Sequence, residues 1–130
     1  MQVANYILLE DEPFELKADQ VKRVRKFELP NNFVKGTLLA KPILTYKVLP
    51  LSTSVKYIIA LNDLQGDENI PSSKVVESRT LDQKVYRSLH EAVDGNKFIP
   101  GESLENLIDF RVVLGSAMFS DVVLWFRVEI

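Results

Sequence analysis

The last twenty-three residues constrain the fold most. Ile108, Phe110, Val112 and Leu114 occupy every second position, and after 115–120 the spacing returns at Val122, Leu124, Phe126, Val128 and Ile130. Successive side chains on a strand point to opposite faces, so a period of two marks strands with one buried face. The segment 115–120 opens on Gly115 and reads as the turn between them. On the second strand the other face carries Asp121, Val123, Trp125, Arg127 and Glu129. The only tryptophan of the chain is thereby assigned away from the core.

The same chemistry runs through the rest of the chain. Short stretches rich in Val, Ile, Phe and Tyr fall at 6–9, 14–18, 21–29, 34–40, 43–49, 55–61, 75–78, 85–92, 107–114 and 122–130. Between them stand turn formers such as Asp11-Glu12-Pro13, Pro30-Asn31-Asn32, Lys41-Pro42, Asp94-Gly95-Asn96 and Pro100-Gly101. Many short strands at close spacing, without helical segments between them, predict an all-β antiparallel sandwich or barrel. The ambiguous segment is 81–93, where Val85, Leu89 and Val93 also fit a helical spacing. We read it as a strand. At 130 residues the chain suits a single domain with room for its own core.

Composition removes several classes of function. The formal charge of −2, from 16 basic and 18 acidic side chains, gives no reason to expect nucleic acid or an anionic membrane as partner. The absence of cysteine excludes disulfides, thiolate catalysis and Cys-ligated metals, without fixing a compartment. Residues 1–12 lack a basic flank before an apolar run and a small-residue cleavage site, so no signal peptide is expected. The apolar run 122–126 is far shorter than the ~20 residues of a membrane helix, and the chain reads as soluble. The five glycines form no phosphate-binding pattern.

The half of the chain at 55–130 resembles the second half of galactose-binding-like jelly rolls, a superfamily of β-sandwiches rich in carbohydrate-binding modules. Three pieces carry the likeness. Tyr57-Ile58-Ile59-Ala60-Leu61-Asn62 resembles a strand ending in Leu-Asn before a turn. Ile99-Pro100-Gly101-Glu102 with Asn106, Ile108 and Phe110 resembles the turn and strand Pro-Gly-Glu-Asn-x-Ile-x-Phe, here with Ser103-Leu104-Glu105 interposed. Phe119-Ser120-Asp121-Val122-Val123-Leu124 resembles the closing strand. The resemblance implies a jelly roll, with 85–92 as a strand between two others and a ligand site on a surface or at a loop end.

Candidate functional residues are few. Trp125, flanked on its face by Val123 and Arg127, offers a flat platform for an apolar sugar face or a partner side chain. His90 is the only imidazole, which rules out multi-His metal sites. No Gly-x-Ser-x-Gly elbow accompanies it, so a surface or structural role suits it better than catalysis. No pair of carboxylates is placed across a cleft as glycosidase chemistry requires. Asn62, Asp63, Asp67, Glu68 and Asn69 together offer oxygens of the kind calcium prefers, but at a spacing that fails the EF-hand pattern, and they read as a solvated loop. The basic segment Lys17, Lys22, Arg23, Arg25 and Lys26 reads as a charged edge strand that blocks sheet-to-sheet aggregation.

The sequence therefore predicts a non-catalytic β-sandwich of jelly-roll type, with no cofactor and no bound metal. Its expected ligand is carbohydrate, with Trp125 stacking and Arg127, Asp121 and His90 bonding sugar hydroxyls. The competing expectation is a structural subunit, a homo-oligomer or a module with a protein partner, that buries Trp125 in an interface.

Overall fold

The computed structural model describes residues 1–20, 22–37, 39–62 and 73–130. These form ten strands: β1 Gln2–Glu10, β2 Phe14–Lys17, β3 Arg23–Leu29, β4 Phe33–Val34, β5 Ile43–Pro50, β6 Val55–Leu61, β7 Ser73–Leu81, β8 Arg87–Ala92, β9 Gly101–Leu114 and β10 Ser116–Glu129. A single 3₁₀ turn at Gly95–Lys97 is capped by Asp94, whose carboxylate accepts from the Asn96 amide. The predicted sandwich is present. Its larger sheet has the order β1-β10-β5-β8, with β2 and β4 also paired to β10, and its smaller sheet the order β3-β9-β6-β7.

The pairings are nested and antiparallel. β1 pairs with β10, β3 with β9, β5 with β8 and β6 with β7. The chain is thus one long hairpin whose innermost pair is β6 and β7, with successive pairs assigned to alternate sheets. Contacts of β10 with β5 and of β9 with β6 knit the pairs together.

Between the sheets lie all seven phenylalanines, none more than 8 % exposed. Their rings form two contiguous groups, Phe27-Phe98-Phe33-Phe126 and Phe14-Phe110-Phe119, the second reaching Tyr46 and Tyr57. Each such burial contributes roughly 1.5–3 kcal/mol. The aromatics with a polar handle divide differently: Tyr46 and Tyr57 are buried, while Tyr6, Tyr86 and Trp125 are exposed.

Arginine–glutamate pairs close both open edges of the sandwich. At one, Arg23 of β3 makes two hydrogen bonds to Glu10 of β1, at 3.1 and 3.2 Å, and lies over the Phe14 ring. At the other, Arg79 of β7 is ion-paired with Glu91 of β8. Behind this second pair the Tyr46 hydroxyl donates to Glu91 at 3.1 Å and lies 2.7 Å from the Tyr57 hydroxyl. Burial is the main cause that raises both phenols above the ordinary tyrosine value, and the hydrogen bond to Glu91 raises the Arg79 guanidinium.

Several sequence expectations are corrected. Residues 116–120 are strand, not turn: Gly115, at a φ of +73° and packed against the Ser54 carbonyl, reverses the chain alone. Leu114 and Ile130 are exposed, because one borders that reversal and the other lies beyond the last pairing of β10. Of the expected strand 34–40, only Val34 among the described residues is in a strand, as the last residue of β4, whose ladder with β10 stops there; residue 38 lies outside the described residues. The ambiguous segment 81–93 holds a strand, β8, but at an edge with β5 as its one neighbour in the sheet, not between two strands. β3 is indeed an edge strand. Val21 and the acidic group at 63–69 lie outside the described residues.

The interposed Ser103-Leu104-Glu105 is accommodated by an irregularity in β9. Glu28 pairs with Glu105 and Leu29 already with Gly101, so the intervening residues bulge from the ladder, with Ser103 at a φ of +68°. Asn106 then anchors the strand. Its fully buried amide accepts from Ile99 N, donates to Ile99 O and accepts from Asn62 Nδ2, all within 3.0 Å. Asn62 in turn accepts from Leu107 N and donates to Lys97 O. These bonds commit the Asn62 side chain to structure.

Candidate functional site on the outer face of the larger sheet

Strand register assembles the site. Tyr6 of β1, Trp125 of β10, Ile43 of β5 and Ala92 of β8 form one row across the outer face. The next row is Leu8, Val123, Thr45 and His90. On the other side of the Trp125 row, Arg127 lies between Ala4 and Val34. Neighbouring strands are about 4.8 Å apart, so these rows form a continuous surface.

At the far end of the face β10 breaks step. Its register with β5 shifts between Ser120 and Val123, and Asp121 adopts a φ of +50°. Ala117 and Phe119 point inward before this bulge and Val122, Leu124, Phe126 and Val128 after it. An extra residue is thus absorbed without exposing the core, and Asp121 is aimed outward at Lys47, 3.2 Å away. Around this pair, Ser88, His90 and Tyr86 line two shallow, open depressions.

The geometry of Trp125 decides what it can offer. Its indole N–H donates to Thr45 Oγ1 at 2.8 Å, and its ring lies against Tyr6 with centroids 5.3 Å apart. Trp125 as a whole remains 44 % exposed. With its only donor satisfied inside the sheet, the exposed part of the indole is an apolar surface held in a fixed plane. The opposite outer face, on the smaller sheet, presents no exposed aromatic among the described residues and carries Lys22, Asp109 and Arg111 in proximity.

Trp125, Arg127, Asp121 and His90, read from the sequence as candidate site residues, all stand on this one face. The sequence reading missed Tyr6, Ile43, Thr45 and Lys47. Nothing local to Trp125 names them, because they join it only through pairing of distant strands. Period-two reading of β1 places Tyr6 and Leu8 on one face, and that was the available signal. Among the described residues no group of three or more His, Asp or Glu is gathered to hold a metal, and no helix is long and apolar enough to cross a membrane. No protein-family model matches the chain, and no curated protein matches it either.

Proposed function

We propose that this chain is a non-catalytic recognition module that binds carbohydrate on the outer face of its larger sheet. The observation that carries the reading is the fixed, internally hydrogen-bonded Trp125, part-exposed between Tyr6 and Ile43, with Arg127 on one side along the face and the polar groups of Thr45, His90 and Lys47–Asp121 on the other. A sugar ring has an apolar face for such a platform and hydroxyls for Thr45, Ser88, His90 and the Lys47–Asp121 pair. Shallow, open depressions suit a hydrophilic chain better than a small apolar ligand, which buries itself in a closed pocket. From Asp121 to Arg127 the face runs roughly 20 Å, at about 3.3 Å per residue, enough for an oligosaccharide.

Two further features support the reading. Asp121 is the only carboxylate among the described residues lining the depressions beside Tyr86 and His90, and it is ion-paired, whereas glycoside hydrolysis uses two flanking carboxyl groups. The nested strand pairing, rolled into two four-strand orders, supports a jelly roll, a frequent lectin architecture. The test is Trp125 emission titrated with a panel of polysaccharides. Trp125→Ala should abolish binding and leave the melting temperature nearly unchanged. A glycan that binds this variant as well as the wild type would refute the platform.

One observation favours a second reading. Tyr6, Leu8, Ile43 and Trp125 are each at least 39 % exposed and adjacent in register, which suits a protein partner or a second copy of the chain. Sedimentation across concentrations separates the two: a monomer at every concentration argues against self-assembly, and a stable oligomer with Trp125 protected from quenchers argues against the sugar platform.

A further inference from the structure

One end of the recognition face is cationic within a chain of net charge −2. A groove of about 350 Å³ includes Trp125 in its lining, together with Ala4, Val34, Lys41, Pro42 and Arg127. Arg127 and Lys41 line it, and no acidic residue among those described does. Across the strands Arg127 faces Ala4 and Val34, where a sheet surface would ordinarily set an opposite charge. Two acids stand near this end, each with a partner of its own: Glu129, two residues along β10 from Arg127, is ion-paired with the Met1 amino group at 2.7 Å, and Asp94, which shares a neighbouring depression with Lys41, accepts from the Asn96 amide. Neither Arg127 nor Lys41 forms an ion pair among the described residues. The opposite end of the face, at Lys47–Asp121, is neutralised internally.

Resting on the carbohydrate reading, we propose that this end of the face selects an acidic saccharide of the uronic-acid type. The ring packs its apolar side on Trp125, and its carboxylate enters the groove to meet Arg127 and Lys41. A guanidinium fork matches a carboxylate with two parallel hydrogen bonds, and the side chains of Ala4 and Val34 on either side of Arg127 offer it no competing acceptor. The polar end at Thr45, Ser88 and His90 then receives hydroxyls of the following residues of the glycan. Polarity is thereby given to the bound chain: carboxylate toward Arg127, hydroxyls toward Asp121.

The test uses the full chain with three probes: an oligogalacturonate, the same oligosaccharide with its carboxyl groups reduced to alcohols, and polyglutamate of matched charge. Binding is measured by calorimetry and by Trp125 emission. The oligogalacturonate should bind about tenfold more tightly than its reduced form, the low end for a hydrogen bond to a charged group. Arg127→Gln should remove most of that difference, weakening the acidic form several-fold more than the reduced form, and Lys41→Gln should act in the same direction with a smaller loss. Binding of the acidic form should also weaken with added salt. Equal binding of the reduced and acidic forms overturns the acidic selection while the carbohydrate reading stands. Failure of both saccharides to bind overturns the acidic selection, and failure of the whole polysaccharide panel with them overturns the carbohydrate reading as well. Polyglutamate binding as tightly as the oligogalacturonate would assign the groove to an acidic peptide and refute the saccharide. Arg127 is exposed and unpaired, so an unchanged melting temperature is the control that its variant is folded.

Discussion

The two open edges of the sandwich solve one problem in different ways. At each, an arginine of the smaller sheet crosses to a glutamate of the larger, Arg23 to Glu10 and Arg79 to Glu91. The Arg23 side chain is 46 % exposed and is backed by the Phe14 ring. The Arg79 side chain is 33 % exposed and is backed by two buried phenols, which share its hydrogen bonds with Glu91. An arginine that keeps access to water can lose its partner and be resolvated. One woven into a buried network cannot do so without stranding the other members.

Removing the acid tests that difference most severely. Glu91→Ala leaves the Arg79 charge and the Tyr46 hydroxyl without their acceptor, and should destabilise the fold by about 3 kcal/mol. Glu10→Ala should lose about 1 kcal/mol, since Arg23 turns to solvent and retains its contact with Phe14. Urea unfolding of both variants measures the gap. Equal losses at the two edges would show that the phenols add nothing to the second one.

The phenols also give the β7/β8 edge a response to alkaline pH. Burial raises Tyr46 and Tyr57 above the ordinary value near 10, so the folded protein holds two protons that the unfolded chain releases. Their contribution is complete below about pH 10 and is lost as pH rises beyond it toward the folded-state values. Over the first unit above pH 10 Tyr46 alone should remove about 1 kcal/mol of stability, and Tyr57 adds to the loss in the same direction. Tyrosinate absorbance from these two residues should appear only together with unfolding. The double variant Tyr46→Phe, Tyr57→Phe should flatten the alkaline decline, and a decline as steep as that of the wild type would place its origin elsewhere.

How much of this was legible in the sequence depends on whether a feature is local. Period-two patterning located the sandwich and the outward Trp125, because alternation is a property of neighbouring residues. It stumbled at 114–121, where the reversal at Gly115 and the bulge at Asp121 each change the phase. The Arg79-Glu91-Tyr46-Tyr57 network drew no notice, since Glu91 and Arg79 look like surface residues until two edges are brought face to face. Arg127 was visible as a neighbour of Trp125, whereas its companionship with Lys41 depends on the turn after β4 folding beside β10. Pairwise partners across sheets are long-range facts, and alternation along one strand cannot encode them.

The smallest expected change in stability lies on the outer face and is the most informative about its use. Thr45→Val removes the acceptor that holds the Trp125 indole, at a position where water can take over the hydrogen bond. Stability should move by no more than about 0.5 kcal/mol, in contrast to the loss at Glu91. What changes is order: an indole with a free N–H can turn away from Tyr6, so its emission should broaden and acrylamide should quench it more readily. A bound saccharide would then have to immobilise the ring at its own expense, weakening binding through lost preorganisation in addition to the lost Thr45 hydroxyl. If Thr45→Val leaves both the quenching and the glycan affinity of Trp125 untouched, the ring is held by Tyr6 alone. The face would then have to be understood as an aromatic pair in place of a hydrogen-bonded platform.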